Sequence, residues 1–435
     1  MGKIIILGGG LAGLSAGYHA ELNKLDYILY EKNDRVGGLS GTKEKEGFLF
    51  DFSGHLLHLK NPYFIELIRG LLGDQVEELQ RNSWIYSNNV FTPYPFQANL
   101  HGLPWKVVRE CLFGFMHAAY KYNDLPSDAY NSFYDWIIAK LGAGIGKHFM
   151  FPYNEKIWTI GTEELTCEWL SEYVPRPSLK DVFLGSLFTR KKKFGYNSTF
   201  LYPQKGGIQS LADALSEKTL NIHTSQSIVN VNIKERTITT EDARTEEYDH
   251  LITTAPLKAL VEKIVDHKPE TIKMAAAKLR HNSLLILNLG VRGDMTDKHW
   301  VYIPEKKIMP YRIGVYSNFS PCMSPPHTTS YYVEIAYQQA WRIQKHQVID
   351  RALEEMTAIG FIPDPRDILV RDVEDVEYGY IIYDSDMLKN RKLILDYLRS
   401  NNIYSIGRYG GWEYSGMEEA LIAGKKSIEE ITANE

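Results

Sequence analysis

Cysteine is scarce in this chain of 435 residues, which has only Cys111, Cys167 and Cys322. They lie far apart and form neither a CxxC pair nor a Cys/His metal spacing, which argues against a disulfide framework and a zinc motif. Long apolar runs are also missing, since no stretch reaches the roughly 18 uninterrupted apolar residues of a transmembrane helix. The apolar start has only the length of a strand and is not predicted to be a signal peptide. These absences predict a cytoplasmic protein with reduced thiols.

A large excess of one charge is missing as well. The formal net charge is −5 and the pI is near 6.3, which gives no support for binding to nucleic acid or to anionic membranes. The basic cluster from Arg190 to Lys193 is interpreted as a solvated loop. No GxSxG or HExxH motif is present. A cofactor that performs the chemistry would account for this scarcity, because the protein groups then only orient and polarise.

Length and tyrosine content are the features that stand out. A chain of 435 residues exceeds what one hydrophobic core usually holds, so two or three domains are expected. Its apolar content of 44% and charged content of 24% are typical of a globular protein. The 28 tyrosines suit a site that stacks rings and donates hydrogen bonds to an oxygen-rich ligand.

A glycine-rich motif follows directly after the first predicted strand, residues 3–7. In Gly8-Gly9-Gly10-Leu11-Ala12-Gly13, Gly8 allows a tight turn, Gly10 lets the backbone approach a pyrophosphate, and Gly13 lets the next helix pack on the strand. The pyrophosphate would lie at the N-terminus of that helix, where unpaired N–H groups favour an anion. A second strand ends at Glu31, which is placed to accept a hydrogen bond from a ribose hydroxyl. The motif therefore predicts a dinucleotide-binding domain.

A second glycine pair narrows the cofactor to FAD. The stretch Asp34-Arg35-Val36-Gly37-Gly38-Leu39-Ser40-Gly41-Thr42 follows Glu31 almost at once. Here the chain resembles the FAD-binding oxidoreductases that include amine oxidases, protoporphyrinogen oxidases and UDP-galactopyranose mutases. An NAD dehydrogenase has no reason to repeat glycines at this place. By resemblance, the FAD-binding residues are Gly8, Gly10, Leu11, Ala12, Gly13, Glu31, Lys32, Arg35, Gly37, Gly38, Leu39, Ser40, His55, Ile228, Gly407, Arg408, Met417 and Glu418.

The order of the predicted helices and strands indicates a mixed α/β (α+β) protein with a discontinuous Rossmann-like FAD-binding domain. That domain is expected to combine residues 1–60, 195–260 and 385–435. Residues 61–194 have mainly helical periodicity and are predicted to form a helical insertion. Residues 261–384 contain strand-like segments at 283–291, 300–303, 310–316 and 330–336 and a predicted helix near 347–359, and they are predicted to form a mixed-sheet substrate domain. The active site is expected between these parts.

Five segments make the resemblance closer to UDP-galactopyranose mutases, chiefly the eukaryotic type. They are Ser53-Gly54-His55, Arg81 to Asn99, Pro152 to Leu170, Trp300 to Ser320, and Gly407 to Tyr414. By resemblance, reduced FAD is the active form, and its N5 attacks the anomeric carbon of a nucleotide sugar while the diphosphate leaves. The sugar then changes between pyranose and furanose forms. The resemblance also implies a role in cell-surface polysaccharide biosynthesis.

The residue types in these segments suit a nucleoside-diphosphate sugar. Tyr94 and Phe96 offer faces for a nucleobase and Gln97 offers amide groups for its edge, although aromatics at this spacing also pack strand cores. Arg312 and Arg408 can each direct two N–H groups at a diphosphate, although a structural ion pair explains Arg312 equally well. The predicted substrate-binding residues are Tyr94, Phe96, Gln97, Asn154, Trp158, Asn197, Trp300, Tyr302, Arg312, Tyr380 and Tyr414.

His55, Arg312 and Arg408 are predicted to be catalytic. The family places a histidine beside the flavin ring at the position of His55, where it would influence the ring's polarity rather than act as a free base. His58 is three residues on, but two histidines without further ligands make a poor metal site, so no metal is predicted. By resemblance, Arg81 and Ser83 match positions that bind the NAD(P)H that reduces the flavin.

Three departures from the mutase pattern keep an alternative open. Tyr173 occupies the position of a family arginine that holds the diphosphate, and Arg176 is a candidate substitute. His58 takes the place of a family aromatic residue. The entry to the last helix, Ser415 to Glu419, is closer to protoporphyrinogen-oxidase-like proteins. The alternative is an FAD-dependent oxidoreductase of the amine oxidase or protoporphyrinogen oxidase type, and a third reading is an FAD-bound protein without activity. A homo-oligomer is compatible with the sequence.

Overall fold

The structure is a computed structural model that describes residues 2–122, 126, 129–170, 173–190, 194–195 and 198–434. The strands in these residues are β1 (Ile4–Leu7), β2 (Tyr27–Tyr30), β3 (Thr42–Lys45), β4 (Phe48–Asp51), β5 (Val76–Gln80), β6 (Ser83–Ser87), β7 (Val90–Pro93), β8 (Thr199–Pro203), β9 (Ile222–His223), β10 (Ile228–Asn232), β11 (Thr237–Thr240), β12 (Thr245–Glu247), β13 (His250–Thr253), β14 (Val265–Asp266), β15 (Ser283–Arg292), β16 (Trp300–Tyr302), β17 (Arg312–Val315), β18 (Thr328–Tyr337), β19 (Ile368–Val376) and β20 (Ile403–Ser405).

The α-helices in the same residues are α1 (Leu11–Leu22), α2 (Pro62–Leu72), α3 (Trp105–Lys121), α4 (Phe133–Ile145), α5 (Phe151–Trp158), α6 (Leu179–Leu187), α7 (Gln209–Ser216), α8 (Leu257–Ala259), α9 (Glu270–Ala277), α10 (Lys345–Ala358), α11 (Met387–Arg399), α12 (Gly407–Gly410) and α13 (Met417–Asn434).

A five-stranded parallel sheet forms the nucleotide-binding part of the chain. Its strand order is β20-β13-β1-β2-β9, with β1 at the centre between β13 and β2. The four residues of β1 are all buried because helices cover both faces of a parallel sheet. α13 packs on α1, where the Ser15 hydroxyl donates to the Leu421 carbonyl at 2.6 Å. The last helix of the chain is thereby fixed to the first, at the edge where a dinucleotide would bind.

A seven-stranded sheet forms the second large layer, in the order β19-β15-β18-β17-β16-β6-β7. Neighbouring strands are antiparallel except β16 and β6, which run parallel. β15 is buried over nine of its ten residues, consistent with its central position. A four-stranded sheet, β12-β11-β10-β14, and two strand pairs, β3-β4 and β5-β8, complete the strands.

The predicted fold class is confirmed: the chain is a mixed α/β protein with a parallel nucleotide-binding sheet. Residues 61–194 contain α2 to α6, but they also supply β6 and β7 to the seven-stranded sheet. That stretch is therefore not purely helical, because the segment after β5 returns to pair with β16. The division into an FAD-binding domain, a helical insertion and a substrate domain stays a proposal.

Candidate active site

The turn between β1 and α1 provides the first half of the site. Gly8 has a φ of +100°, which an L side chain rarely adopts, and a Cβ at Gly13 would lie 1.9 Å from the Gly8 carbonyl oxygen. α1 begins at Leu11. Its N-cap residue is Gly10, which has no side chain to accept hydrogen bonds from the first N–H groups of the helix. A Cβ at Gly10 would meet no atom within 4 Å. This end of α1 thus combines free backbone donors with open space, as an anion site requires.

Glu31 is held beside this turn by the backbone. Its carboxylate is nearly fully buried and accepts hydrogen bonds from the N–H groups of Gly9 at 2.6 Å and Asn33 at 2.9 Å. Gln226, two residues before Ile228 and β10, donates its N–H to the Glu31 carbonyl at 2.9 Å. These bonds fix the carboxylate at the carboxyl end of β2, the position expected for a ribose acceptor.

The second glycine pair lies against the first. Gly37 has a φ of +108° and donates its N–H to the Gly9 carbonyl at 2.8 Å. The Arg35 guanidinium donates to the Thr42 carbonyl, which closes the loop that carries the pair. Gly38 is exposed and Ser40 is buried, with Leu39 between them half-buried, whereas Lys32 is exposed. The predicted FAD residues of the N-terminal stretch therefore lie around one turn.

The C-terminal residues reach the same turn from the other side. A Cβ at Gly407 would lie 2.9 Å from the Ala12 Cβ, so Arg408 follows a backbone in contact with the start of α1. The Arg408 guanidinium donates to the Ser415 carbonyl at 2.6 Å. Met417 is half-buried against the core. The Glu418 carboxylate accepts the N–H groups of Lys60 and Asn61, both at 2.7 Å, so this side chain connects α13 to the start of α2.

FAD fits the residues of this turn. The uncapped N-terminus of α1 and the space at Gly10 suit a pyrophosphate, and the fixed Glu31 carboxylate suits a ribose. His55 is predicted to lie beside the flavin ring, and its Nδ1 is buried with no hydrogen-bond partner in the described part of the chain. An orphaned buried polar atom at a predicted ring-side position is an observation that a bound cofactor would explain.

In the facing sheet, the half-buried Arg312 forms an ion pair with the buried Glu334. Arg312 and Glu334 are opposite each other on β17 and β18, and Glu334 is 1% exposed. Arg312 donates to both carboxylate oxygens, through Nε and, at 2.8 Å, through Nη2. The Ser53 hydroxyl also donates to Glu334. The carboxylate therefore joins Arg312 to the turn that carries His55, and burial makes this bidentate pair costly to break.

Tyrosines connect Arg312 to Arg408. The Arg312 Cζ lies 5.9 Å from the centre of the Tyr311 ring, and the Tyr311 and Tyr380 hydroxyls are 3.4 Å apart. The Arg408 Cζ lies 5.5 Å from the Tyr380 ring centre and 4.7 Å from that of Tyr414. Burial raises the pKa of Tyr380 and of Tyr414, so both phenols stay protonated and can donate hydrogen bonds.

His55 is neutral between the two arginines. Burial lowers the pKa of its imidazole to about 4, and the charge of Arg408 and the weaker effect of Arg312 act in the same direction. Glu334 opposes them. The three residues predicted to be catalytic, His55, Arg312 and Arg408, are therefore brought into one electrostatic environment, in which the histidine is not a proton donor at neutral pH.

Other predicted substrate residues are placed differently. Tyr302 packs against Tyr94 with ring centres 5.2 Å apart, and both are half-buried. Phe96 is fully buried and stacks on Phe149 at 5.1 Å, which corrects the expectation that it offers a free face to a nucleobase. Gln97 is also buried and donates its amide N–H to the Pro175 carbonyl at 2.7 Å, so that donor is occupied.

The remaining predicted substrate residues lie mostly in the core. Asn154 donates to the Met150 carbonyl at 2.7 Å and accepts from the Trp158 indole at 3.3 Å, so its amide is hydrogen-bonded on both sides within the chain. Trp158 is 5.4 Å from Tyr380 between ring centres and so packs under the cluster. Trp300 is buried, with its indole N–H unpartnered among the described residues. Asn197 lies outside the described residues.

The predicted reductant residues flank Tyr94. The Arg81 Cζ lies 4.6 Å from the Tyr94 ring centre, and its guanidinium donates to the Phe194 carbonyl at 2.7 Å. Ser83 accepts the Tyr94 N–H at its carbonyl, and its buried hydroxyl has no partner in the described part of the chain. Tyr173, in place of the family arginine, packs edge-on against Tyr414 at 4.9 Å, whereas Arg176 is exposed.

Among the charged residues that sequence reasoning missed are Glu334, which is buried, and Lys156, which is half-buried. Glu334 is the one acidic residue in the otherwise apolar or hydroxylic run Ser330 to Ala336, and that contrast was the available indication. The Lys156 ammonium donates to the carbonyls of Ile303 at 2.7 Å and Pro310 at 2.6 Å, which fastens α5 to the connection between β16 and β17. Burial lowers the pKa of Lys156 to about 7.

The described residues contain no group of three or more His, Cys, Asp or Glu side chains that could hold a metal ion. None of their helices combines the length and apolar composition of a membrane span.

Comparison with known proteins gives a family and several structural relatives. The family profile described as flavin containing amine oxidoreductase matches residues 11–432. A crystal structure of reduced UDP-galactopyranose mutase is similar with a TM-score of 0.93 and 27% identity, covering 100% of this chain and 94% of that one. A putative protoporphyrinogen oxidase from Exiguobacterium sp. 255-15 has a TM-score of 0.76 at 16% identity, covering 100% and 99%. The predicted resemblance is thus confirmed for superfamily and fold.

A curated relative matches over a short stretch. The 4,4'-diaponeurosporene oxygenase of Staphylococcus haemolyticus (strain JCSC1435) is 44% identical over 64 residues, which is 15% of this chain and 12% of that protein. The chain therefore matches only a small part of that relative's own length.

Proposed function

The chain belongs to the family of flavin containing amine oxidoreductases, and from this premise we propose that it is an FAD-dependent mutase acting on a nucleoside-diphosphate sugar. The proposed reaction interconverts pyranose and furanose forms, as the name of the similar UDP-galactopyranose mutase suggests. The proposed cleft lies between the α1 turn and the tyrosines Tyr311, Tyr380 and Tyr414.

The observation that carries this proposal is the positive charge of the cleft. Arg312 is paired with Glu334, whereas Arg408 has no carboxylate partner among the described residues. The two guanidinium groups are joined through Tyr311 and Tyr380. A cationic amine substrate would be repelled from such a cleft, and a diphosphate would be attracted. The charge therefore favours a nucleotide-sugar mutase over an amine oxidase.

The protein groups have distinct proposed roles. Bound FAD would supply, in its reduced form, a nucleophile for the anomeric carbon of the sugar. Arg408 and the outward edge of Arg312 would stabilise the negative charge that grows on the departing diphosphate. Tyr380 and Tyr414 would donate hydrogen bonds to the same oxygens, because their raised pKa values keep them protonated. The neutral His55 would adjust polarity beside the ring without adding a charge.

The test compares the same holoenzyme in two redox states. Dithionite-reduced protein is incubated without oxygen with UDP-galactopyranose, and the products are separated by chromatography; the oxidised protein is the matched control. The proposal expects a furanose isomer only from the reduced protein. No isomer from either state, across uridine, guanosine and thymidine diphosphate sugars, would contradict it.

The oxidoreductase alternative gives a different result in the same preparation. Steady release of hydrogen peroxide from the oxidised protein with an amine or a porphyrinogen, without isomerised sugar, would replace the mutase proposal. NAD(P)H as reductant is proposed from Arg81 and Ser83. It is tested separately, by the rate at which NADPH bleaches the flavin in the wild type and in Arg81→Ala.

A further inference from the structure

The outer side of α3 carries large apolar side chains in water. Trp105, Phe113, Met116 and Tyr120 are exposed by 71%, 61%, 43% and 93%. Their spacing of eight, three and four residues keeps them on one side of the helix. The opposite side contains Val108, Cys111 and other buried residues. α3 is therefore apolar on two sides, of which one packs on the described part of the chain and the other is exposed.

The neighbouring helix α6 repeats this arrangement. α3 and α6 pack together, and Leu179, Phe183 and Leu187 are exposed at four-residue spacing along α6, followed by Phe188. These four residues and the four of α3 are together called the α3/α6 face. At the exposures observed, these side chains together present on the order of 800 Å² of apolar surface, summed over the two packed helices.

The charges on the α3/α6 face are basic. Lys106, Arg109, Lys121 and Lys180 are exposed, and none of them forms an ion pair within the described residues. The two carboxylates of these helices are neutralised: Glu110 pairs with Lys147 at 2.7 Å and Asp181 with Arg190 at 2.7 Å. The face is thus locally positive although the whole chain has a net charge of −5.

We infer that the α3/α6 face docks on the surface of an anionic lipid bilayer. Aromatic and leucine side chains insert at the headgroup boundary, and lysine and arginine beside them are attracted to anionic lipids. A second copy of the chain fits less well, because a two-fold contact would set these cations against themselves with no free carboxylate on either helix. The inference is independent of the proposed reaction.

The experiment is vesicle flotation of the yellow holoenzyme. Vesicles of phosphatidylcholine alone are compared with vesicles of phosphatidylcholine and phosphatidylglycerol in equal parts, at low and at high salt. The inference expects the protein to bind anionic vesicles at least about tenfold more tightly than neutral vesicles. Binding to the anionic vesicles should weaken as the salt concentration rises. Absence of binding to anionic vesicles at low salt would overturn it, and so would equal binding to both kinds.

Variants separate the apolar and the basic parts. Trp105→Ser with Phe183→Ser, and Lys106→Gln with Lys180→Gln, should each reduce binding about tenfold or more. The matched controls are Trp341→Ser and Lys389→Gln, which change exposed residues elsewhere and should bind as the wild type does. Flavin absorbance confirms that each variant is folded. Self-association in sedimentation that disappears in the apolar variant, without vesicle binding by the wild type, would assign the face to a second copy and overturn the inference.

Discussion

The two halves of the proposed site are built in different ways. The α1 turn is assembled from residues close in sequence, with Gly8, Gly13, Glu31 and Gly37 all within the first 37 residues. The arginine-tyrosine cleft draws its groups from distant segments, since Ser53, Arg312, Glu334 and Arg408 meet only in the folded chain. The turn depends on backbone space and the cleft on paired charges. We therefore expect substitutions in the turn to reduce FAD binding, and substitutions in the cleft to reduce stability and substrate binding.

Gly13→Ala should have the largest effect. The added Cβ would lie 1.9 Å from the Gly8 carbonyl oxygen, so the backbone of the turn or of α1 must move. We expect loss of FAD and destabilisation by about 3 kcal/mol or more. The flavin-to-protein absorbance ratio and urea unfolding measure both. A variant that retains FAD with wild-type stability would show that the turn is not the cofactor cradle.

Glu334→Leu should have the second largest effect on stability, and it should leave FAD binding unchanged. It leaves the Arg312 guanidinium, whose side chain is 20% exposed, without its carboxylate, at an expected cost of about 3 kcal/mol. The double variant Arg312→Met with Glu334→Leu should recover most of that stability, because no buried charge is left unpaired. Urea unfolding of the holoenzymes measures these differences.

The same variants distinguish a substrate role for Arg312 from a structural one. If Arg312 holds a diphosphate, UDP affinity in calorimetry should fall about tenfold or more in the stable double variant. Unchanged UDP affinity would show that Arg312 and Glu334 have only a structural role. Loss of FAD would show that the pair supports the cofactor rather than the substrate.

His55→Gln should have a smaller, pH-dependent effect. The folded-state pKa of His55, about 4, is lower than the ordinary value of 6.5, so the folded state binds fewer protons between these values. Stability is therefore lost as the pH falls from 6.5 toward 4, by up to about 1.4 kcal/mol per pH unit from this residue. In His55→Gln the loss should be shallower by that amount. Equal slopes in both proteins would show that His55 protonates freely.

Gln97→Leu should have the smallest effect. It removes the hydrogen bond to the Pro175 carbonyl and should cost about 1 kcal/mol of stability. Because that donor is already occupied, the affinity for UDP relative to pyrophosphate should change by less than about threefold. A larger loss of UDP affinity alone would restore Gln97 as a nucleobase contact.

The sequence predicted strands well where the run of strand-forming residues was long. β15 and β18 were expected close to their observed bounds because each is a long run rich in aliphatic, β-branched or aromatic residues, and both are buried along nearly their whole length. β19 was missed, since charged residues such as the exposed Arg371 and the half-buried Glu374 interrupt its apolar sequence at the sheet edge. Within the site, Phe96 was expected at a surface and is buried, because the stacking partner Phe149 is more than fifty residues away.

The nucleotide turn was determined by the sequence itself. Its requirements are local: glycines at fixed spacing, a buried strand before them and an acid at the end of the next strand, all imposed by sterics over a few residues. The cleft was decided by the tertiary structure. Glu334 meets Arg312 only through the antiparallel register of β17 and β18, and Lys156 meets the carbonyls of Ile303 and Pro310 only when α5 packs on that sheet. The sequence does not identify the partner of a buried charge, because the ion pair becomes necessary only when the paired strands remove the charge from water.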